Sequence, residues 1–265
     1  MSTPSRGERR VAIVTGGGTG LGRGILDALA AAGLDCTIAG RRIDVLDGAA
    51  RAVESDQCEV LPVAADVTTV EGRAAIVDAT LERFGRLDVL VNNAGESIME
   101  PLLGFSLESW RAVMSVNLEA SFFMAQLVIP TMRECGFGRI INISSILGMI
   151  APARMVIDVP DDPDLGPWRS PPYFAAKAGL IAMSRDLAAA TGRWGITVNT
   201  VSPGMIERPE RARSPKVARE VAENTPVGRL GTPDDVGPLV SFLASESASF
   251  ITGANLVVDG GWSIW

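Results

Sequence analysis

The chain has 265 residues, 47% hydrophobic and 21% charged, which is enough to bury a full core and fits one α/β domain of ordinary size. A net charge of -7, from 24 basic and 31 acidic residues, argues against nucleic acid or an anionic membrane as partner. There is no histidine, which removes Ser-His-Asp hydrolysis, Cys-His proteolysis and histidine-bound zinc together. Proton chemistry is left to Tyr, Lys, Asp, Glu, Cys or water, and no metal is expected.

Residues 1–9 read as a disordered lead-in, without the apolar core of a secretory signal. No apolar run is expected to reach the length of a membrane span, so the sequence reads as a cytoplasmic protein. Cys36, Cys58 and Cys135 are far apart and odd in number, fit no disulfide framework, and are expected to be small buried hydrophobes.

The first element is a β-branched run, Arg10 to Thr15. It breaks into Gly16-Gly17-Gly18-Thr19-Gly20-Leu21-Gly22 and then into a helical pattern through Ile25, Leu26, Leu29 and Ala32. Strand, glycine turn, helix is a dinucleotide-binding opening: the glycines admit a pyrophosphate to the backbone, and its charge sits on the helix N-terminus. A second strand, Cys36 to Ala39, ends in Gly40-Arg41-Arg42. An NAD site wants a carboxylate there for the ribose 2′-hydroxyl, whereas arginine accommodates a 2′-phosphate, so NADP(H) is favoured over NAD(H). The alternative makes Arg41 and Arg42 solvated residues opening the next helix.

A third strand, Val60 to Ala65, leads to Asp66-Val67 and a helix from Val70 to Phe84. Leu87 to Val91 is a buried strand that ends at Asn92-Asn93-Ala94-Gly95. One long helix follows, about Leu107 to Cys135, with Asn117 inside it and a kink expected at Pro130. Strands at Arg139 to Ile143, Ile196 to Val201 and Asn255 to Val258 deliver Ser144-Ser145, Ser202-Pro203-Gly204 and Asp259-Gly260-Gly261 at their ends, and a last helix spans about Asp234 to Leu243. The alternation predicts a single Rossmann-type, doubly wound parallel sheet with helices on both faces and ligands at the carboxyl ends of the strands. Gly148 to Pro172, dense in proline and aspartate, reads as an inserted loop.

Just after that loop lies Tyr173, the only tyrosine, with Lys177 four residues later. That spacing puts both side chains on one helix face. An adjacent ammonium stabilises a phenolate, which suits the tyrosine to exchanging a proton with a substrate.

Taken together, the Thr15 to Gly22 motif, Asp66-Val67, Asn92 to Gly95, Asn117, Ser145, Tyr173 with Lys177, Asn199 and Pro203-Gly204 resemble the classical short-chain dehydrogenases/reductases, in family order, from about Val11 to the C-terminus. The resemblance implies a catalytic set of Asn117, Ser145, Tyr173 and Lys177, with Ser144 as the fallback serine. It also implies a cofactor site. Gly16, Thr19, Gly20, Leu21 and Gly22 would lie on the pyrophosphate, Arg41 and Arg42 by the 2′-phosphate, and Asp66 and Val67 on the adenine. Asn93, Ala94 and Gly95 would lie beside the cofactor, with Tyr173 and Lys177 at the nicotinamide ribose. Pro203, Gly204 and the backbone of Ile206 would meet the carboxamide. Two features depart from the family pattern: Arg208 stands where a threonine is common, and Ser145 and Tyr173 are 28 residues apart, about twice the usual separation.

By that resemblance the chain is an oxidoreductase that interconverts a ketone and a secondary alcohol, most similar to 3-oxoacyl-thioester and carbonyl reductases, and a homotetramer or homodimer. The alternatives are an NAD-dependent sugar or polyol dehydrogenase and a non-catalytic nucleotide-sensing module. Ile98, Met99, Leu102, Met149, Ile150 and Trp168 suggest an uncharged, apolar substrate, and the insertion is read either as a lid or as a surface excursion.

Overall fold

The computed structural model describes residues 9–152, 161–207 and 213–264. Nine strands and eight α-helices are used below. In chain order they are β1 (Val11–Thr15), α1 (Gly20–Ala31), β2 (Asp35–Gly40), α2 (Ile43–Val53), β3 (Val60–Ala64), α3 (Val70–Phe84), β4 (Val89–Asn92), β5 (Glu100–Pro101), α4 (Leu107–Met114), α5 (Ala120–Cys135), β6 (Gly138–Ile143), β7 (Trp168–Arg169), α6 (Pro171–Thr191), β8 (Ile196–Pro203), α7 (Pro215–Glu223), α8 (Pro233–Ala244) and β9 (Asn255–Val258).

Seven strands form one sheet in the order β3-β2-β1-β4-β6-β8-β9, with every pair parallel. The central strands read as continuous apolar runs because both faces are covered. All five residues of β1 and all eight of β8 are buried. On one face Ile25, Leu26 and Leu29 of α1 pack with Val236, Val240 and Leu243 of α8. On the other, Ile76 of α3 packs with Met124, Val128 and Met132 of α5. Leu26, Leu29, Leu90 and Met132 are wholly buried, each contributing about 1.5–3 kcal/mol by leaving water.

The helix ends follow local chemistry. Thr69 caps α3 by accepting from the Gly72 amide, and Gly85 closes that helix in the left-handed region at φ 73°. Pro233 opens α8 behind a reciprocal Thr232–Asp235 capping box.

The structure modifies several sequence expectations. Arg9, assigned to the tail, is buried and paired with Asp35 at 3.0 Å. The long helix is not one α-helix: a π-helical turn, Ser115–Glu119, separates α4 from α5, and Asn117 lies in it. Pro130 sits inside α5, which continues past it to Cys135. By length and composition alone, Leu107–Cys135 would suffice to cross a membrane, contrary to the expectation that no segment would. Within it Met124, Ala125, Val128 and Met132 are buried in the core, whereas Leu107, Trp110, Phe122, Phe123 and Leu127 are exposed. The helix α7 has no counterpart among the elements expected from sequence.

Cys36 and Cys58 are buried as expected, but the fold brings them together. The thiol of Cys36, hydrogen-bonded to Cys58 and desolvated, is pushed well above the ordinary thiol range. Cys135 is exposed.

Candidate active site

The chain steps outward from β1 to β2 and β3, then returns to the other side of β1 for β4. The direction of winding reverses there, which opens a crevice between the loops after β1 and β4. These two loops are bound to each other. The Thr15 hydroxyl accepts from the amides of Asn93 and Ala94, both at 3.0 Å, while Asn93 Nδ2 donates to the carbonyls of Thr15 (2.9 Å) and Gly16 (3.2 Å). Thr15 is not among the site residues expected from sequence, although its place directly before the glycine turn is a usable signal.

Gly16 has φ 67°, the left-handed region in which a side chain is strained. Gly22, in the first turn of α1, lies so close to the β1 turn that a Cβ would sit 2.0 Å from the Gly16 carbonyl oxygen. Thr19 makes no side-chain hydrogen bond to the helix it precedes, and the first turn of α1, with Gly20, Leu21 and Gly22, carries no acid. Such an end favours an anion.

Beyond β2, Arg41 and Arg42 are exposed. The Asp66 carboxyl is held below the ordinary carboxylate range, first by the Thr68 amide (2.9 Å) and then by the Thr68 hydroxyl (2.7 Å), with a smaller contribution from the charge of Arg41. Arg41 and Asp66 therefore flank one end of the crevice. The Val67 side chain is largely committed to the core, and its carbonyl accepts from Arg73 at 2.8 Å.

The four residues of the expected catalytic set come from three separate segments: the π turn, the end of β6 and the helix α6. Lys177 in α6 is buried. Its ammonium donates to the carbonyl of Ile143, the last residue of β6, at 2.8 Å, and lies 5.5 Å from the centroid of the Tyr173 ring. Asn117 is wholly buried and its amide nitrogen donates to the carbonyls of Glu96 (2.7 Å) and Val113 (2.8 Å), while its Oδ1 has no partner among the described residues. The π turn adds a residue to the helical repeat at that point, re-aiming the side chain. Gly95 lies between Asn117 and Lys177: a Cβ there would be 2.6 Å from Asn117 Oδ1 and 3.4 Å from Lys177 Nζ.

The two adjacent serines are distinguished by their partners. The Ser144 hydroxyl donates to the Lys177 carbonyl at 2.9 Å, fastening β6 to α6. Ser145 accepts from the Leu147 amide at 3.2 Å, which leaves its proton for another acceptor. The Ser144 hydroxyl is thus taken up in bracing, whereas the Ser145 hydroxyl keeps a proton to donate.

At the far end of the crevice Gly204 follows Pro203, and its amide donates to the Val258 carbonyl at 2.9 Å. Ile206 bridges to Gly231, but the bonds run through its neighbours. The Met205 carbonyl accepts from Gly231 (3.0 Å) and the Glu207 amide donates to it (2.8 Å). The backbone groups of Ile206 itself therefore face the opposite way, as strand geometry requires. Asn199 is taken up structurally, joining β8 to the turn at Ile251 and Ala254. Arg208, and residues 153–160 of the expected lid, lie outside the described residues.

The cleft fits a dinucleotide. A glycine cradle that a single methyl would fill faces an acid-free helix N-terminus, and an orphaned buried amide oxygen stands beside a lysine ammonium.

Comparison with known proteins agrees. The short chain dehydrogenase family matches residues 10–157, and the Enoyl-(Acyl carrier protein) reductase family matches residues 165–263. The chain is 37% identical to a cis-4-hydroxycyclohexanecarboxylate dehydrogenase of Sinomonas cyclohexanicum, with 96% of each chain covered. It is 35% identical to an NADP-dependent (R)-specific alcohol dehydrogenase of Lentilactobacillus kefiri, again over 96% of each. It superposes on the crystal structure of a short chain dehydrogenase from Bacillus anthracis with a TM-score of 0.81, at 31% identity and 96% coverage of both chains. The chain therefore belongs to the short-chain dehydrogenase/reductase family and is an oxidoreductase acting on CH–OH groups with a nicotinamide cofactor.

Proposed function

We propose that the protein interconverts a ketone and a secondary alcohol using NADP(H), with Tyr173 as the general acid/base. The observation that carries this reading is the convergence of Lys177 and Asn117 around Gly95, with the Lys177 ammonium 5.5 Å from the centroid of the Tyr173 ring and the Asn117 amide oxygen unpartnered among the described residues. When bound, the cofactor supplies or accepts a hydride at the carbonyl carbon.

The chain's own residues manage the proton and the charge. In the reductive direction the Tyr173 hydroxyl gives its proton to the developing alkoxide, and Ser145 donates a hydrogen bond to the same oxygen, stabilising charge where it appears. Lys177, anchored on the Ile143 carbonyl, keeps a positive charge beside the phenol and is placed to hold the ribose hydroxyls. Asn117 offers its Oδ1 to a water through which Tyr173 is reprotonated. Gly16, Gly20 and Gly22 would seat the pyrophosphate on α1, Asn93 and Ala94 would line the crevice floor, and Ile206 would present its backbone to the carboxamide.

The preference for NADP(H) rests on Arg41 and Arg42 at the tip of β2, with Gly40 where an NAD site wants a carboxylate. The substrate is read as uncharged and apolar from Ile98, Met99, Leu102 and Trp168 in the segments that leave the catalytic residues.

The test is turnover by the purified protein on a ketone and alcohol panel with both cofactors. The Tyr173→Phe variant should lose about 10²- to 10⁴-fold in kcat while keeping its cofactor affinity. Retained rates in that variant would end the proposal. A preference for NAD⁺ with polyols would move it to the sugar or polyol dehydrogenases, and no turnover on any substrate would favour a nucleotide-sensing module.

A further inference from the structure

The Pro/Asp-rich insertion is not an independent loop where it is described. Its C-terminal part returns as β7 and pairs antiparallel with β5, Glu100 opposite Arg169 and Pro101 opposite Trp168. The pairing continues past the strands. The Leu102 amide donates to the Pro167 carbonyl and the Leu103 amide to the Leu165 carbonyl, both at 3.0 Å. Leu165 sits at the tip of a turn closed by an Asp162–Gly166 bridge, where Asp162 Oδ1 accepts from the Asp164 and Leu165 amides. Its Cδ1 comes within 3.2 Å of where a Cβ on Gly104 would be.

Both halves of this clasp are tied to the catalytic residues. One half follows Gly95 after five residues, and the carboxylate of Glu100 accepts from the Ser106 amide (2.8 Å) and the Ser109 hydroxyl (2.5 Å) at the start of α4, which leads to Asn117. The other half ends at Arg169. There Arg169 Nη1 donates to the Pro152 carbonyl at 3.0 Å, and the next residue, Ser170, accepts from the Tyr173 amide at 2.9 Å. A few residues of chain span no more than about 3.5 Å each, so the clasp cannot lie far from the phenol. The side chains it offers are those of Leu102, 44% exposed, and Leu165, 41% exposed, while the Leu103 side chain, 76% exposed, stands largely in solvent.

We infer that residues 100–104 and 161–169 act as one specificity wall, held together by the β5–β7 pairing, and that this wall selects substrates carrying an apolar group on the side of the carbonyl away from the cofactor. This rests on the ketone/alcohol reading above and adds which residues discriminate among substrates. The two segments are far apart in sequence, so neither sets selectivity without the other.

The experiment compares kcat/KM for a bulky apolar ketone, 4-tert-butylcyclohexanone, with that for 2-butanone. Leu103 tests the pairing, because its side chain is largely in solvent while its amide holds the clasp. Leu103→Ala keeps the donor and Leu103→Pro removes it; Leu103 lies in a 3₁₀ turn, a conformation whose general φ range of about −50 to −70° proline shares. Leu165→Asp places a charge on the wall without opening the pairing, and it decides alone if Leu103→Pro loses its cooperative melting transition. Expected is a drop of about 10-fold or more in the bulky-to-small ratio for Leu103→Pro and Leu165→Asp, with Leu103→Ala, NADPH affinity and 2-butanone turnover unchanged. An unchanged ratio in folded Leu103→Pro and Leu165→Asp overturns the wall while leaving the redox function standing. A wild-type protein inert toward every ketone and alcohol overturns the redox reading and the wall with it.

Discussion

Taken as two rims of one cleft, as proposed above, the cofactor crevice and the β5–β7 clasp are built by opposite means. The crevice is dominated by backbone: Gly22 lies against the Gly16 carbonyl, Asn93 spans from β4 to the β1 turn, and the α1 N-terminus faces the opening. There the identity of each residue is dictated by what a single extra carbon would strike. The clasp is held by a few backbone bonds, with Glu100 and Arg169 tying its ends to Ser106, Ser109 and Pro152, and its leucines are bound by little beyond being apolar. A rim made of close approaches admits one kind of ligand, whereas a rim made of a short strand pair can change its side chains and keep its frame. That division suits a common cofactor and a particular substrate.

The largest effect expected from breaking this contrast is in the crevice. Gly22→Ala puts a methyl 2.0 Å from the Gly16 oxygen, against backbone that cannot rotate away, and should abolish saturable NADPH binding in a fluorescence titration. Binding at the wild-type level would show that the crevice is as tolerant as the clasp. A smaller effect is expected from Arg41→Ala. Loss of a charged hydrogen bond to a 2′-phosphate is worth about 1.5–3 kcal/mol, which would weaken NADP(H) on the order of 10- to 100-fold and leave NAD(H) unchanged. Equal weakening of both cofactors would place Arg41 off the phosphate.

The smallest effect concerns the buttress behind the crevice. α8 packs on α1 so closely that a Cβ on Gly237 would meet the Gly24 carbonyl at 2.7 Å. Asp235 caps α8, and its carboxyl is held well below the ordinary carboxylate range, first by the Arg229 guanidinium and then by the Thr232 amide. Because the folded value is depressed, this contribution is full above the unfolded carboxylate pKa and fades as pH falls toward the folded one. Asp235→Asn should cost about 1 kcal/mol in denaturant titrations at pH 7. The deficit should shrink steadily below about pH 4, where the unfolded carboxylate begins to protonate. A deficit independent of pH would mean that the cap works through shape alone.

Much of the cofactor side is legible in the order of residues. β1, the glycine turn and α1 are contiguous, so apolar runs and glycine spacing report them directly, and Tyr173 and Lys177 share a helix face by periodicity. The π turn at Asn117 is not legible in that way, because residues 107–135 keep a helical pattern throughout and nothing local marks the extra residue. The assignment of Ser145 over Ser144 comes from resemblance; what the fold adds is that the Ser144 hydroxyl is engaged by Lys177, 33 residues away on α6. The insertion reads as irregular because its prolines disfavour regular elements, yet Trp168 and Arg169 find strand partners in a segment that is just as short.

Burial periodicity, glycines and one tyrosine beside one lysine act over a few residues, so the order of amino acids alone specifies the sheet, the crevice and the chemistry on offer. Which hydroxyl is braced, where Asn117 points and what the insertion leans on are settled only once the chain has folded. Those outcomes depend on hydrogen bonds between segments that no local pattern brings together.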